Sequence, residues 1–311
     1  MLVTPLSALT GHRVAQHGGL PEPDALRLSQ LRSSTVGLFP EIIQQGDEEA
    51  VPPIWTTALV GQPTTHLVRD AAVRARVLRP SVDAAIDQCH TDLDSLCRRV
   101  AMIISSRPIT RTRIAFVGDD DLATVALLQI AAPEHLLLLD IDERIITTAE
   151  TTAIETGQRE RLSAERVDLS SADAAQVAAR YGETFDVVVT DPPYATDGML
   201  QFVHVAMALT AYTGEVHIAV PALLAEAWTD ELLLNVQSLL VASGFVIDRV
   251  VPGAFTYETS DVVSSLIIAR RLPGGPPISP ICATSIDRFY TTRVVPTQEG
   301  LLPAHHEEGY Q

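Results

Sequence analysis

The chain has 311 residues, of which 46% are apolar and 20% charged, a composition typical of a globular protein of about two domains. Its 39 acidic side chains outnumber the 22 basic ones for a formal net charge of −17, and every basic one is arginine. The lack of lysine excludes mechanisms that need one, such as a Schiff base or a phosphate-binding loop lysine. Because nucleic-acid affinity comes mostly from cationic contacts to phosphate, the acidity also argues against a nucleic-acid partner.

The sequence gives no signal of a metal centre, a membrane segment or a leader. Cys89, Cys97 and Cys282 are too few and too scattered for a disulfide framework or a zinc site. No apolar run reaches the ~20 residues that a membrane helix needs. The first residues, MLVTPLSALTGHR, lack the basic start and apolar centre of a signal peptide. We therefore expect a cytoplasmic protein with no metal and no membrane partner.

The two ends of the chain differ from its middle. Residues 1–110 are predicted to form a small, mainly helical N-terminal domain, with helical patterns at 23–34, 66–80 and 81–106. Residues 273–311 begin as a linker rich in proline and glycine and continue as an acidic tail without periodicity. We expect this tail to be mobile.

Residues 111–272 are predicted to form a Rossmann-like domain in which strands and helices alternate. Short apolar runs mark seven strands, at 113–118, 135–142, 165–169, 185–194, 214–221, 244–253 and 261–272. Apolar strands separated by helices indicate a parallel sheet that is covered on both faces. The fold class is therefore α/β, a doubly wound, methyltransferase-like and mostly parallel sheet whose last strand is antiparallel. Such sheets bind ligands at the carboxyl ends of their strands.

The turn after the first strand is acidic where a nucleotide-binding turn is rich in glycine. In FVGDDDLATVAL only Gly118 fits the glycine pattern, and Asp119, Asp120 and Asp121 follow it. Helix capping explains one of these carboxylates but does not require three. A phosphate or carboxylate placed here meets like charge, whereas an ammonium or a sulfonium is attracted. Decarboxylated S-adenosylmethionine carries two positive charges and no carboxylate, so it suits this turn better than intact S-adenosylmethionine does.

Acids also follow the second and third strands. Asp140 ends the second strand, where an acid commonly accepts the ribose hydroxyls of an adenine-bearing ligand. Asp142 either joins it or caps the next helix. Asp168, after the third strand, either reaches the adenine amino group or is a solvated loop acid.

The fourth strand ends in Asp191-Pro192-Pro193-Tyr194. Two prolines hold the backbone extended, so Asp191 and Tyr194 are expected to sit rigidly at the edge of the sheet. The aspartate can bind an amine and take its proton, and the tyrosine ring can hold an ammonium by cation–π attraction. Tyr257, in the predicted loop between the last two strands, either walls the same pocket or forms the turn.

Several of these segments resemble one enzyme family. FVGDDDLATVAL (116–127), LLLLDIDERII (136–146) and FDVVVTDPPY (185–194) resemble, in order and spacing, the branched-chain polyamine synthases, the N4-bis(aminopropyl)spermidine synthases of thermophiles. DQCHTDLDSLCRRVAMI (87–103) looks like the segment before their catalytic domain, and SSLIIAR (264–270) looks like their last strand. That family is similar to the spermidine synthases in fold and chemistry.

The resemblance implies transfer of an aminopropyl group from decarboxylated S-adenosylmethionine to a polyamine, with release of methylthioadenosine. It implies that the acids of the Gly118–Asp121 turn bind the ammonium of the donor and the acceptor amine. Asp140 and Asp142 would take the ribose, and Asp191 to Tyr194 would form the acceptor site. In this interpretation Asp191 receives the proton, and Asp120 or Asp121 helps to place the nitrogen.

Other functions stay open at this point. Asp-Pro-Pro-Tyr also occurs in N-methyltransferases that use intact S-adenosylmethionine, although these usually have the glycine-rich first turn. A related alternative transfers the 3-amino-3-carboxypropyl group, for which an arginine near the donor carboxylate would be a sign. A third is a domain that only binds and senses a polyamine or a nucleoside. The partner in each case is a small cationic molecule, and the sequence leaves a homodimer open.

Overall fold

A computed structural model of the protein describes residues 63–222, 227–260, 262–281, 286 and 289–291. Within these residues seven strands form one sheet in the order β3-β2-β1-β4-β5-β7-β6. The strands are β1 (Arg113–Val117), β2 (His135–Asp140), β3 (Leu162–Arg166), β4 (Phe185–Thr190), β5 (Thr210–Pro221), β6 (Phe245–Thr256) and β7 (Val263–Arg271).

Seven α-helices accompany the strands in the described part of the chain. They are α1 (Pro63–Leu78), α2 (Leu93–Ser106), α3 (Ala123–Ile130), α4 (Glu143–Glu155), α5 (Asp173–Tyr181), α6 (Thr196–Leu209) and α7 (Ala227–Ala242). The helix predicted at 23–34 lies outside the described residues. The helix predicted at 66–80 is confirmed as α1.

The predicted fold class is confirmed. β1 pairs in parallel with β2 and β4, β2 with β3, and β4 with β5. β7 runs antiparallel between β5 and β6, as expected for the last strand. The strand order reverses between β1 and β4, and the carboxyl ends of such a pair are where doubly wound sheets bind ligands.

Apolar side chains cover both faces of the sheet, as the unbroken apolar strands require. Along β1, Ile114 and Phe116 face a core formed with α1 to α4, whereas Ala115 and Val117 face a core formed with α5 to α7. All four side chains are at most 1% exposed. Because α1 and α2 contribute to the first core, they pack against that face of the sheet.

Two predicted elements are corrected. The helical pattern predicted over 81–106 forms a helix only from Leu93, because the Asp92 carboxylate caps α2 by accepting from the Ser95 backbone. Before it the chain runs irregularly, apart from a 3₁₀ turn at Ala84–Ile86. The third strand begins three residues earlier than predicted and ends at Arg166, since Asp168 forms a turn with Ser170 instead of continuing the ladder.

Part of the predicted linker and tail packs on the sheet. Phe289 and Tyr290 are buried, and Ile278, Ile281 and Ile286 pack partly buried against the same core. Most of 1–110 and of 273–311 lies outside the described residues. The limits given to the three regions, 1–110, 111–272 and 273–311, therefore stay predictions.

Candidate functional site

Two cavities lie at the carboxyl ends of β1, β2 and β4. The first, here the Gly118 cavity, is lined by residues that include Gly118, Asp119, Asp140, Val167, Leu169 and Phe202. The second, here the Tyr194 cavity, has a volume of about 360 Å³ and is lined by residues that include Cys89, Pro192, Tyr194, Tyr257 and Val262. The parallel strands and the topological reversal thus place both cavities where such folds bind ligands.

The two cavities share one wall. Five residues line both cavities and are here called the shared wall: Asp87, Gln88, Asp120, Asp191 and Pro193. Among the described residues, every charged side chain that lines either cavity is an aspartate. A ligand in either cavity therefore meets carboxyl groups, and Asp120 and Asp191 face both cavities.

Gly118 allows the backbone to turn tightly into the first cavity. Its φ is +74°, in the left-handed region that favours glycine. A Cβ added there would lie 3.1 Å from Cε1 of Phe202, which lines the same cavity. The Gly118 backbone N–H donates to the Leu139 carbonyl at 2.8 Å and fixes the turn to the end of β2.

Asp119 does the capping that the sequence suggested for one of the three turn acids. Its carboxylate accepts from the backbone N–H groups of Ala123 and Thr124, each at 2.8 Å, at the start of α3. The side chain is 2% exposed, and burial raises the pKa of Asp119 to about 7. Asp119 also lines the Gly118 cavity, so its charge faces a bound ligand there.

Asp120 is the turn acid that faces both cavities. One of its carboxylate oxygens accepts from the Cys89 backbone N–H at 2.9 Å. Burial raises its pKa well above the ordinary value, and the nearby carboxylates of Asp121 and Asp191 raise it further. A positive ligand beside Asp120 would favour its ionised form.

Asp121 points away from both cavities. It is fully buried and accepts from the Thr91 backbone N–H at 2.8 Å, from the Thr91 hydroxyl at 2.6 Å and from Arg79 at 2.9 Å. Arg99 lies 3.5 Å from its other oxygen. The structure therefore places Asp121 behind the turn, where it anchors α1, α2 and the segment between them, and a direct contact with a ligand stays only a prediction.

The two acids after β2 separate into different surroundings. Asp140 lines the Gly118 cavity and accepts from the backbone N–H groups of Asp119 and Asp142, each at 2.9 Å. Burial raises its pKa to about 6. Asp142 caps α4 and binds Arg144 and Gln88, and these bonds outweigh partial burial and lower its pKa. Asp142 does not line the Gly118 cavity and instead caps α4, which is the second of the two roles that the sequence left open.

Asp168 does not line either cavity. Its carboxylate accepts from the backbone and the hydroxyl of Ser170, at 2.9 and 2.6 Å. Its neighbours Val167 and Leu169 line the Gly118 cavity instead. The described geometry thus favours the loop alternative for Asp168, and a contact with an adenine amino group stays a prediction.

The Asp-Pro-Pro-Tyr turn brings its side chains to the Tyr194 cavity, and Tyr257 comes from the end of β6 to meet them. The Tyr257 hydroxyl lies 3.3 Å from both carboxylate oxygens of Asp191 and 2.8 Å from the Ser264 hydroxyl. Ser264, fully buried in β7, also bonds the Tyr194 hydroxyl. One serine therefore fixes two tyrosines around Asp191.

Sequence reasoning missed two parts of the site. The irregular segment before α2 supplies Gln88 to both cavities and Cys89 to the Tyr194 cavity. Arg99, 5% exposed, pairs with Asp191 from within α2. Arg99 lies three residues after Leu96 and four before Ile103 on the apolar face of that helix, and a basic residue on an apolar face was the available signal.

A doubly wound sheet with two cavities at the carboxyl end of β4 defines a Rossmann-type ligand-binding domain. The family model of the branched-chain polyamine synthase A C-terminal domain matches residues 70–299. The chain therefore belongs to the branched-chain polyamine synthase family, as the sequence motifs indicated.

Curated relatives match over part of their length. The N(4)-bis(aminopropyl)spermidine synthase of Thermococcus kodakarensis is 30% identical over 126 residues, which cover 40% of this chain and 34% of that protein. An uncharacterized protein of Methanocaldococcus jannaschii is 29% identical over 196 residues, or 63% of this chain and 47% of the relative. The matched segments thus span about half or less of the length of these two relatives.

A crystal structure supports the fold assignment. The branched-chain polyamine synthase of Thermus thermophilus, in complex with N4-aminopropylspermidine and 5'-methylthioadenosine, superposes with a TM-score of 0.57 and 22% identity. The superposition covers 69% of this chain and 67% of that one. At this identity the likeness shows a common fold.

The structure also bears on a membrane association. None of the helices in the described ranges combines the length and apolar character that a membrane span requires.

We expect Asp121→Ala to lower the free energy of unfolding by about 3–5 kcal/mol, since it leaves buried arginines without their carboxylate. Asp94 is the matched control, because it also pairs with an arginine of α1 but is 70% exposed. Asp94→Ala should cost less than about 1 kcal/mol. Urea unfolding of both variants measures the difference, and equal losses would contradict the anchoring role of Asp121.

Proposed function

We propose that the protein transfers an aminopropyl group from decarboxylated S-adenosylmethionine to a polyamine-type amine and releases methylthioadenosine. One observation carries this proposal: among the described residues, every charged side chain that lines the two adjoining cavities is an aspartate. The family assignment supports it, as does the likeness to the N(4)-bis(aminopropyl)spermidine synthase of Thermococcus kodakarensis. The Gly118 cavity would take the donor and the Tyr194 cavity the acceptor.

The charge of the Gly118 cavity favours the decarboxylated donor. Intact S-adenosylmethionine brings a carboxylate, and in a partly dry cavity lined by Asp119 and Asp140 that carboxylate would be repelled. An arginine would be needed to accept it, and none of the described arginines lines either cavity. The arginine nearest to the shared wall, Arg99, is already paired with Asp191 and Asp121.

The Tyr194 cavity suits a chain of methylenes that carries charged nitrogens. Pro192, Tyr194 and Val262 offer apolar surface for methylene groups. Asp120 and Asp191 offer carboxylates, and the tyrosine rings offer faces to an ammonium. This mixture of apolar walls and acids is complementary to a polyamine.

The chemistry needs a nucleophile, a leaving group and a destination for one proton. The acceptor nitrogen attacks the aminopropyl carbon next to the sulfonium, and the carbon–sulfur bond breaks with its electrons going to sulfur. The leaving thioether is neutral and needs no acid. The nitrogen sheds a proton to a carboxylate of the shared wall, Asp120 or Asp191. Holding nitrogen and carbon in line supplies much of the acceleration.

The Gly118 cavity has a volume of about 60 Å³, well below that of a nucleoside. A larger cavity of about 630 Å³ borders it, since Ile86 and Ile141 line both. Methylthioadenosine or its donor precursor would therefore extend from the Gly118 cavity into this neighbouring space.

The decisive experiment incubates the full chain with decarboxylated or with intact S-adenosylmethionine, each with a panel of polyamines, and weighs the products by mass spectrometry. Addition of one or more aminopropyl groups from the decarboxylated donor alone is the expected result. A gain of a methyl or an aminocarboxypropyl group from the intact donor would contradict the proposal. So would polyamine binding without turnover under every condition.

Asp191→Asn should lower the turnover number about 10²- to 10³-fold, because the neutral amide no longer supplies the negative charge that orients and stabilises the acceptor amine. Affinity for methylthioadenosine, measured by calorimetry, should change little. Asp186→Asn is the control on the same strand, since Asp186 accepts from the Arg113 backbone outside the cavities. Near-normal turnover of Asp191→Asn would show that the assignment is wrong.

Binding of decarboxylated S-adenosylmethionine should release protons at about pH 6.5, because its positive charge favours the ionised form of the Gly118-cavity carboxylates whose pKa is raised. The pKa of Asp119 is about 7 and that of Asp140 about 6, so both hold some proton there in the free protein. The release should fade as pH rises beyond these values. Calorimetry in two buffers of different ionisation enthalpy measures it. Uncharged methylthioadenosine is the comparison, and equal release for both ligands would argue against charge complementarity.

The predicted homodimer and the predicted cytoplasmic location stay predictions. The predicted absence of a nucleic-acid partner is likewise supported only by the acidity of the chain.

A further inference from the structure

Arg99 lies directly behind the shared wall. It projects from α2, is 5% exposed and lines neither of the two cavities among the described residues. One terminal nitrogen pairs with Asp191, and the other lies 3.5 Å from Asp121. The guanidinium carbon stands 4.6 Å from the ring centre of Phe255. Arg99 is therefore fixed on three sides.

The two carboxylates that Arg99 bridges differ in what else they face. Asp121 is fully buried and bound by Thr91 and Arg79, so it serves as an anchor for the guanidinium. Asp191 keeps one side toward both cavities. The bridge thus ties a fixed internal acid to the acid that would meet the acceptor amine.

We propose that Arg99 is a positioning residue for aminopropyl transfer, because its guanidinium bridges Asp121 and Asp191 and holds the Asp191 carboxylate ionised and aimed at the acceptor nitrogen. This inference rests on the proposed function. Arg99 does not touch the substrate; it acts through Asp191. The arginine fork suits this task since it can bind two acids at once in a fixed geometry.

The charged surroundings of Asp191 show why a cation is needed. Six titratable groups face it. The segment before α2 contributes Cys89, α2 contributes Arg99, and the turn after β1 contributes Asp120 and Asp121. Tyr194 belongs to the same turn as Asp191, and Tyr257 directly follows β6. Arg99 is the one cation in this set. Burial raises the pKa of Asp191, and Arg99 opposes that rise.

A division of labour between the two acids of the shared wall follows. Asp191, held as an anion, orients the amine and stabilises its charge. Asp120 has no arginine within ion-pair distance among the described residues, and it accepts one backbone hydrogen bond from Cys89. Asp120 is therefore the better destination for the proton that the nitrogen sheds.

The test compares Arg99→Met and Arg99→Lys with the unaltered chain over a range of pH, using decarboxylated S-adenosylmethionine and an acceptor that the unaltered chain uses. Arg99→Met should lower kcat/KM about 100-fold. It should also move the acid limb of the profile up by about one pH unit or more, because Asp191 loses the cation that keeps it ionised. Arg99→Lys should keep the limb near its original pH but lower kcat about tenfold, since one ammonium cannot bridge both acids.

Arg271→Met is the matched control. Arg271 is also buried and paired with an acid, but that acid, Glu183, lines neither cavity, whereas Asp191 lines both. This variant should lose stability without moving the acid limb. If the acid limb of the Arg99→Met profile lies at the same pH as that of the unaltered chain, the inference is wrong.

If Arg99→Met does not fold, Arg99→Lys decides, and an unchanged kcat in that variant would overturn the inference. These outcomes differ from a failure of the proposed function. If the proposed function is wrong, the unaltered chain itself forms no aminopropylated product with any acceptor.

Discussion

The guanidinium of Arg99, set between the carboxylates of Asp121 and Asp191, makes the ligand edge of this sheet possible. The parallel strands bring five acids to one edge, namely Asp119, Asp120, Asp121, Asp140 and Asp191. Burial strengthens the repulsion among them, and an internal cation offsets part of it. Arg79 adds a second cation on the far side of Asp121. Arg99 comes from α2 and Arg79 directly follows α1, so the part of the chain before the first strand contributes to the site's electrostatics.

In the proposed function, the carboxylates of the cavities would give the site its selectivity. Burial raises the pKa values of Asp119, Asp120 and Asp140, because it disfavours their ionised form. A ligand with two or more positive charges would favour that form, whereas an anionic nucleotide would add to the repulsion. Electrostatic complementarity of this kind distinguishes donors that differ by a single carboxylate, which apolar contacts alone would not do.

The geometry of the proposed site would also favour reaction between a bound donor and a bound acceptor. The Gly118 and Tyr194 cavities meet at the shared wall, so a donor and an acceptor would lie on either side of the same two carboxylates. Pro192 and Pro193 hold that part of the backbone extended, and Ser264 fixes the hydroxyls of Tyr194 and Tyr257. Few rotatable groups remain near the reacting atoms, and orientation of the reactants benefits from this rigidity.

The sequence by itself predicted the parallel sheet, the succession of its strands and helices along the chain, and the acids at the strand ends, because apolar periodicity and turn chemistry are local properties. It also indicated a cationic ligand, since three adjacent aspartates are more than helix capping requires. Only the tertiary structure decided which carboxylates face the cavities: Asp120 and Asp191 do, whereas Asp121, Asp142 and Asp168 turn to partners of their own. It alone brought Arg99 from a helix 92 residues earlier in the chain to Asp191. Contacts across such a separation depend on how helices pack against the sheet, and no local pattern records that packing.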